Sequence, residues 1–215
     1  MKRVFVGALM IGLGLGMAAP AFAGDQFVVG DYVYSPQIYD QLSASGTADG
    51  GLRLKAAAEF PLFNIPWLIS ADYSSAYAPQ LKPPVSEAEA HVGLKLPAPQ
   101  LFVGIGYLYR AATSGLGTQN ALGIGIEKLP GLRQAFSLYG SAYYFPNVQT
   151  NFSDPSGTQF SLQYKILKYN VGGTLNVGRS PWFLDFGYLG DNANSPATAP
   201  GVSRNGPYAG LGIHF

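Results

Sequence analysis

Leu52-Arg53-Leu54-Lys55-Ala56-Ala57-Ala58-Glu59-Phe60 decides the fold class, because its even positions are apolar and its charges, Arg53, Lys55 and Glu59, all fall on odd ones. A strand turns successive side chains to opposite faces, so the three charges share one face. A helix would scatter them around its circumference. The same period recurs downstream. Glu87, Glu89, His91, Gly93 and Lys95 oppose Ala88, Ala90, Val92, Leu94 and Leu96. Leu101, Val103, Ile105, Tyr107 and Tyr109 oppose Phe102, Gly104, Gly106, Leu108 and Arg110. Leu122, Ile124 and Ile126 oppose Gly123, Gly125 and Glu127, and the chain closes on Ala209, Leu211, Ile213 and Phe215 against Tyr208, Gly210, Gly212 and His214.

The connections alternate in length. Tight ones are predicted near 63–66, 97–100, 129–134 and 178–181, and longer Pro/Ser/Asn/Gly-rich ones near 35–50, 79–86, 113–119, 146–157 and 191–205. Counting hairpins back from Phe215 gives nine strands from residue 51 on, and Gln26 to Tyr34 supplies a tenth, which leaves both termini at the short-turn end. Eight strands are the alternative if the first hairpin is loose. Residues 158–177 show no turn, yet their apolar parity shifts from even (Phe160, Leu162, Tyr164, Ile166) to odd (Tyr169, Val171, Leu175, Val177). A β-bulge near Leu167-Lys168 in one tall strand accounts for the shift, and Leu-Lys is poor chemistry for a hairpin turn instead.

The composition narrows the setting. Charged residues are 12% of the chain and aromatics 13%, with 28 glycines and no cysteine. A typical soluble domain carries about 25% charge. Lys2 and Arg3, an apolar Val4 to Met17 and the small-residue stretch Ala18 to Ala23 form the pattern of an export leader, so residues 1–23 are expected to be removed and 24–215 to fold as one domain. Removing Lys2 and Arg3 turns the net charge from +1 to −1, which leaves no footprint for nucleic acid. The missing cysteines exclude a disulfide framework, a thiolate metal site and a cysteine nucleophile. Past residue 23 no uninterrupted apolar run of about 18 residues occurs, so helical membrane spans are excluded as well.

Period two alone does not say which face meets solvent, since a soluble barrel alternates with its apolar face inward. Here the polar face is rich in Gly and Ser and poor in charge, unlike a wetted surface. Aromatics gather at strand ends: Trp67, Phe136, Trp182 and Phe215 near the tight turns, and Tyr77, Tyr109, Tyr144, Tyr188 and Tyr208 near the long loops. Two bands read as interfacial girdles. The tail Tyr208-Ala-Gly-Leu-Gly-Ile-His-Phe215 resembles the C-terminal signature of outer-membrane β-barrel proteins. That resemblance implies an all-β, transmembrane, antiparallel up-and-down barrel of ten strands (eight as the alternative) in the outer membrane. It also implies outer-membrane lipid around the barrel and hand-over to the barrel-assembly machinery through Phe215. A monomer is expected.

On this reading the lumen collects Arg53, Lys55, Lys95, Arg110 and Lys165 against Glu59, Asp72, Glu87, Glu89, Glu127 and Asp185. Inside a narrow barrel such charges pair, because an unpaired charge away from water is costly. They act either as a salt-bridged plug or as the constriction of a small-solute pore, and the inward bulk of Phe102, Leu108, Tyr139, Tyr143 and Phe183 favours the plug. An alternative function is surface recognition through the long loops. An enzyme or a soluble periplasmic barrel ranks below both. His91 with Ser70 or Ser74 and Asp72 can be assembled into a hydrolase-like trio, but nothing marks either serine as activated, and catalysis is not expected. Glu87, Glu89 and His91 lie roughly 7 Å apart in succession along one strand, too extended for a compact metal site. Asp191-Asn192-Ala193-Asn194 lacks the Gly and Glu of a calcium loop, and the G-x-G pairs precede no helix, so no cofactor is expected.

Overall fold

A computed structural model describes residues 26–34, 37–40, 46–47, 50–78, 81–111, 118–153, 158–194 and 202–215. The expected leader, 1–23, lies outside the described residues, as do parts of every long connection. Twelve strands are described: β1 Gln26–Val33, β2 Gln37–Asp40, β3 Gly46–Thr47, β4 Gly50–Leu62, β5 Ile65–Ala78, β6 Leu81–Lys95, β7 Leu101–Ala111, β8 Gln119–Lys128, β9 Phe136–Ser153, β10 Gln159–Asn176, β11 Trp182–Asn194 and β12 Val202–His214. Strand β1 and strands β4 to β12 pair antiparallel in chain order. Strand β1 closes on β12, from Phe27 opposite His214 to Val33 opposite Tyr208, giving a ten-stranded up-and-down barrel. Closure pairs the edge backbone groups that an open sheet would leave exposed. Short β2 and β3 extend the sheet beyond the rim, with β2 pairing Val202 to Asn205 of β12.

The alternation seen in the sequence is inverted relative to a soluble protein. Along β8, Leu122 and Ile124 are 68% and 65% exposed, whereas Gln119, Ala121 and Glu127 are buried. Ile105, Tyr107, Val171, Leu184 and Leu211 likewise face outward, while Arg53, Lys55, Glu87 and Arg110 face inward and are buried. Two apolar clusters cap this polar interior. At the short-turn end Phe27, Leu68, Phe102 and Phe183 meet Leu129 and Leu132, which the β8–β9 connection folds into the barrel mouth. Toward the loop end Leu108, Tyr143, Phe145, Val148, Tyr164 and Ile166 pack together.

Three expectations are corrected. The bulge lies in β9, not in β10 at Leu167-Lys168. Phe145 pairs Ile166 and Val148 pairs Tyr164, so Pro146 and Asn147 oppose Lys165 alone. Pro146 has no N–H to give the ladder, which makes it the natural place for a break. Strand β10 keeps one parity throughout, and Tyr164 and Ile166 point into the apolar loop-side lumen rather than to the outside. Tyr208 is also inside: it is buried, and its hydroxyl donates to Asn170 Oδ1 at 2.7 Å. Finally, much of the sequence assigned to long loops is strand. Strand β6 begins at Leu81, β9 runs to Ser153 and β11 to Asn194, so the Asp191–Asn194 stretch is not a loop.

The β4–β5 turn is strained. Phe63 and Asn64 have φ of 53° and 62°, the left-handed pair of a type I′ turn. A bulky side chain there costs roughly 1–2 kcal/mol relative to Gly. Replacing Phe63-Asn64 with Asn-Gly should therefore raise folding stability by about 1 kcal/mol. Urea titration of the folded fraction on gels checks this, and no gain would show that the turn stores no strain.

Candidate functional site: the ion-paired lumen

Inward positions of neighbouring strands stand opposite one another, so the register itself sets up the interior. Asp31 on β1 lies opposite Arg53 on β4, Lys55 lies opposite Asp72 on β5, and Asp72 lies opposite Glu89 on β6. Near the short turns Lys95 Nζ donates to Glu59 Oε1 at 2.6 Å. Arg53 pairs with Asp72 at 2.6 Å and Asp31 at 3.4 Å. Lys55 reaches across to Glu127 at 2.7 Å, and Ser70 Oγ donates to the same carboxylate at 2.9 Å. Toward the loops Arg110 is held between Glu87 and Asp191, 2.6 Å from each, and Lys168 joins Glu87 to Glu89. Tyr139 donates to Asp185 at 2.8 Å and lies 2.6 Å from the Tyr208 hydroxyl, while the Arg53 guanidinium sits 5.1 Å from the Tyr208 ring centroid.

Ten of the eleven charged residues expected in the lumen sit there. Lys165 does not: it is exposed on the outer face, because β10 keeps its parity past the bulge of β9. Lys168, three residues on, takes the interior position. Asp31 and Asp191 also belong to the network and were missed. Asp31 shares the inward face of β1 with Val29 and Val33, and equating apolar residues with the outside hid it. Asp191 was hidden by its polar neighbours, which looked like loop. Among the described residues the interior holds five basic side chains (Arg53, Lys55, Lys95, Arg110, Lys168) against eight carboxylates (Asp31, Glu59, Asp72, Glu87, Glu89, Glu127, Asp185, Asp191).

His91 lies among these groups, stacked on Tyr143 with ring centroids 3.9 Å apart. Ser70 Oγ is 3.2 Å from Nδ1, and Glu89 Oε2 is 3.4 Å from Nε2. This is not the geometry of an activated nucleophile. The Ser70 proton goes to Glu127, and the hydroxyl is buried behind the β4–β6 wall. Among the described residues no group of three or more His, Asp and Glu side chains is arranged to hold a metal ion. A cavity of about 50 Å³ remains between the ion pairs, bordered by Arg53, Glu89, His91, Tyr143, Lys168 and Asp191. That is room for a few waters and not for an organic ligand.

What the arrangement does chemically is brace the barrel. Arg110 ties β7 to β6 and, across the lumen, to β11, and Lys55 ties β4 to β8. The Arg110–Asp191 and Lys55–Glu127 bridges join strands that are not neighbours in the sheet, so they resist flattening of the barrel cross-section.

No protein-family model matches the chain, and no curated protein matches it. Solved structures do. The chain is similar to Neisserial surface protein A, at 14% identity and a TM-score of 0.44 over 89% of this chain and 99% of that one. It is also similar to Ail, the attachment invasion locus protein of Yersinia pestis, solved in complex with the heparin analogue sucrose octasulfate. There the identity is 14% and the TM-score 0.42 over 89% of this chain and 97% of that one.

Proposed function

We propose that this chain is an integral outer-membrane β-barrel whose lumen is closed by its own side chains, and that it serves as a rigid anchor rather than an open pore. The inversion of polarity carries the reading: Leu122, Ile124, Ile105 and Val171 stand outside while Arg110, Glu87 and Glu127 are buried within. Turned toward water, that outer belt would be a large apolar patch; in lipid it is the expected surface. The leader-like residues 1–23 fit export, and the aromatic Phe215 fits delivery to the barrel-assembly machinery as a monomer. Against conduction stand the cross-lumen ion pairs and the plug built on Leu68, Phe102, Leu129 and Leu132.

One observation favours surface recognition as the work of this anchor. Strands β9 and β10 are each 18 residues long. About ten tilted residues cross the apolar band, so roughly eight more would project some 20 Å beyond it. Membrane fractionation tests the reading. The protein should sediment with the outer membrane, resist carbonate extraction, and show a gel mobility that shifts on heating. Release by carbonate as a soluble species would contradict it.

A further inference from the structure

The short-turn rim repeats one pattern. Arg133-Gln-Ala-Phe136 opens β9 and Arg179-Ser-Pro-Trp182 opens β11, each an arginine three residues ahead of an aromatic. Both arginines are exposed, and Phe136 and Trp182 face outward at 47% and 46% exposure. Neither arginine forms an ion pair among the described residues.

The two turns are fixed and joined. Leu129 and Leu132 anchor the first in the barrel mouth, and Gly131 N donates to Ser137 Oγ at 2.7 Å. The second is set by Gly178 at φ 63° and by Ser180 Oγ, which donates to the Val177 carbonyl at 2.6 Å. Asn176 links them: its side-chain nitrogen donates to the carbonyls of Leu132 and Gln134 in the neighbouring turn. Phe136 also stacks with Phe186, ring centroids 6.5 Å apart, over Gly173. Two linked turns thus each carry an exposed cation shortly ahead of an outward aromatic, the order in which phosphate and acyl chain occur in a phospholipid.

We propose that the paired turns 129–135 and 177–181 bind the headgroups of anionic phospholipid in the leaflet at the short-turn side, with Arg133 and Arg179 on the phosphates and Phe136, Phe186 and Trp182 against the chains. The proposal rests on the membrane-barrel reading. Guanidinium matches phosphate in a forked geometry, which favours it over a bare point charge for this task.

The test is lipid retention. Folded protein is reconstituted into bilayers of phosphatidylcholine with about one part in three phosphatidylglycerol, extracted in mild detergent, and its co-purifying lipid counted by native mass spectrometry. Wild type should retain phosphatidylglycerol above its bilayer share. Arg133→Gln with Arg179→Gln should abolish that enrichment and return the retained phosphatidylglycerol to its bilayer share, and each single variant should fall between wild type and the double variant. Retention at the bilayer ratio by wild type, or equal enrichment in the double variant, overturns the proposal. Because both side chains are exposed, the variants should keep the heat-shifted mobility of the folded barrel. A carbonate-extractable wild type would instead fail the barrel reading, and the lipid site with it.

Discussion

Replacing Arg110 with methionine should destabilise the folded barrel by about 3–5 kcal/mol. Its guanidinium is buried and holds Glu87 and Asp191 at 2.6 Å each. Methionine fills a similar volume but removes the cation that both carboxylates hold, while Lys168 still pairs with Glu87. The loss comes from uncompensated charge and not from the absence of a favourable pair. Adding Glu87→Gln and Asp191→Asn to Arg110→Met should therefore recover much of the stability, because the charges then leave together. Urea titrations of the heat-shifted band measure both. Equal destabilisation in the single and triple variants would mean that packing, not charge, sets the cost.

Gly187→Val should block assembly of a folded barrel. Gly187 on β11 faces Gly172 on β10, and the pair makes the floor on which Tyr139 and Tyr208 lie. A Cβ at Gly187 would stand 2.5 Å from the Tyr208 hydroxyl and 2.7 Å from the Gly172 Cα, so backbone would have to move as well as a ring. Overpacking of a filled interior costs typically 1–3 kcal/mol, and here it also parts the Tyr139–Tyr208 contact and the Tyr139 bond to Asp185. The measurement is the yield of heat-shifted protein after refolding into vesicles, expected to fall close to zero. A normal yield would show that the interior has slack that the tyrosine arrangement denies.

How much of this was legible in the sequence depended on whether one parity sufficed for a whole strand. In β4, β6, β7 and β8 it did: Arg53, Lys55, Glu87, Glu89, Lys95, Arg110 and Glu127 alternate strictly with apolar residues. Closure by β1 followed from the even strand count. The reading failed where the lumen itself is apolar. Tyr164 and Ile166 were assigned to lipid because apolar residues were equated with the outside, yet they pack on Phe145 and Val148 within. That single inversion moved the bulge into the wrong strand and exchanged Lys168 for Lys165. Pro146 was the available signal, since a proline inside a paired strand has no N–H for the ladder. Tyr208 failed differently. Its own tail parity put it with Gly210 and Gly212, inside, but its position near a strand end suggested a girdle. The cross-lumen partners, such as Lys55 with Glu127 and Arg110 with Asp191, join residues far apart in sequence, and no periodicity could have named them.

The central claim is a membrane-integral barrel closed by its own ion pairs and plug, and planar-bilayer conductance of refolded protein with verified heat-shifted mobility tests it most directly. The account predicts an inserted, electrically silent barrel at moderate voltage, with neither discrete steps nor ion selectivity. Discrete, selective steps from wild-type protein, altered by Arg110→Met or Glu127→Gln, would contradict it and make the lumen charges the lining of a pore.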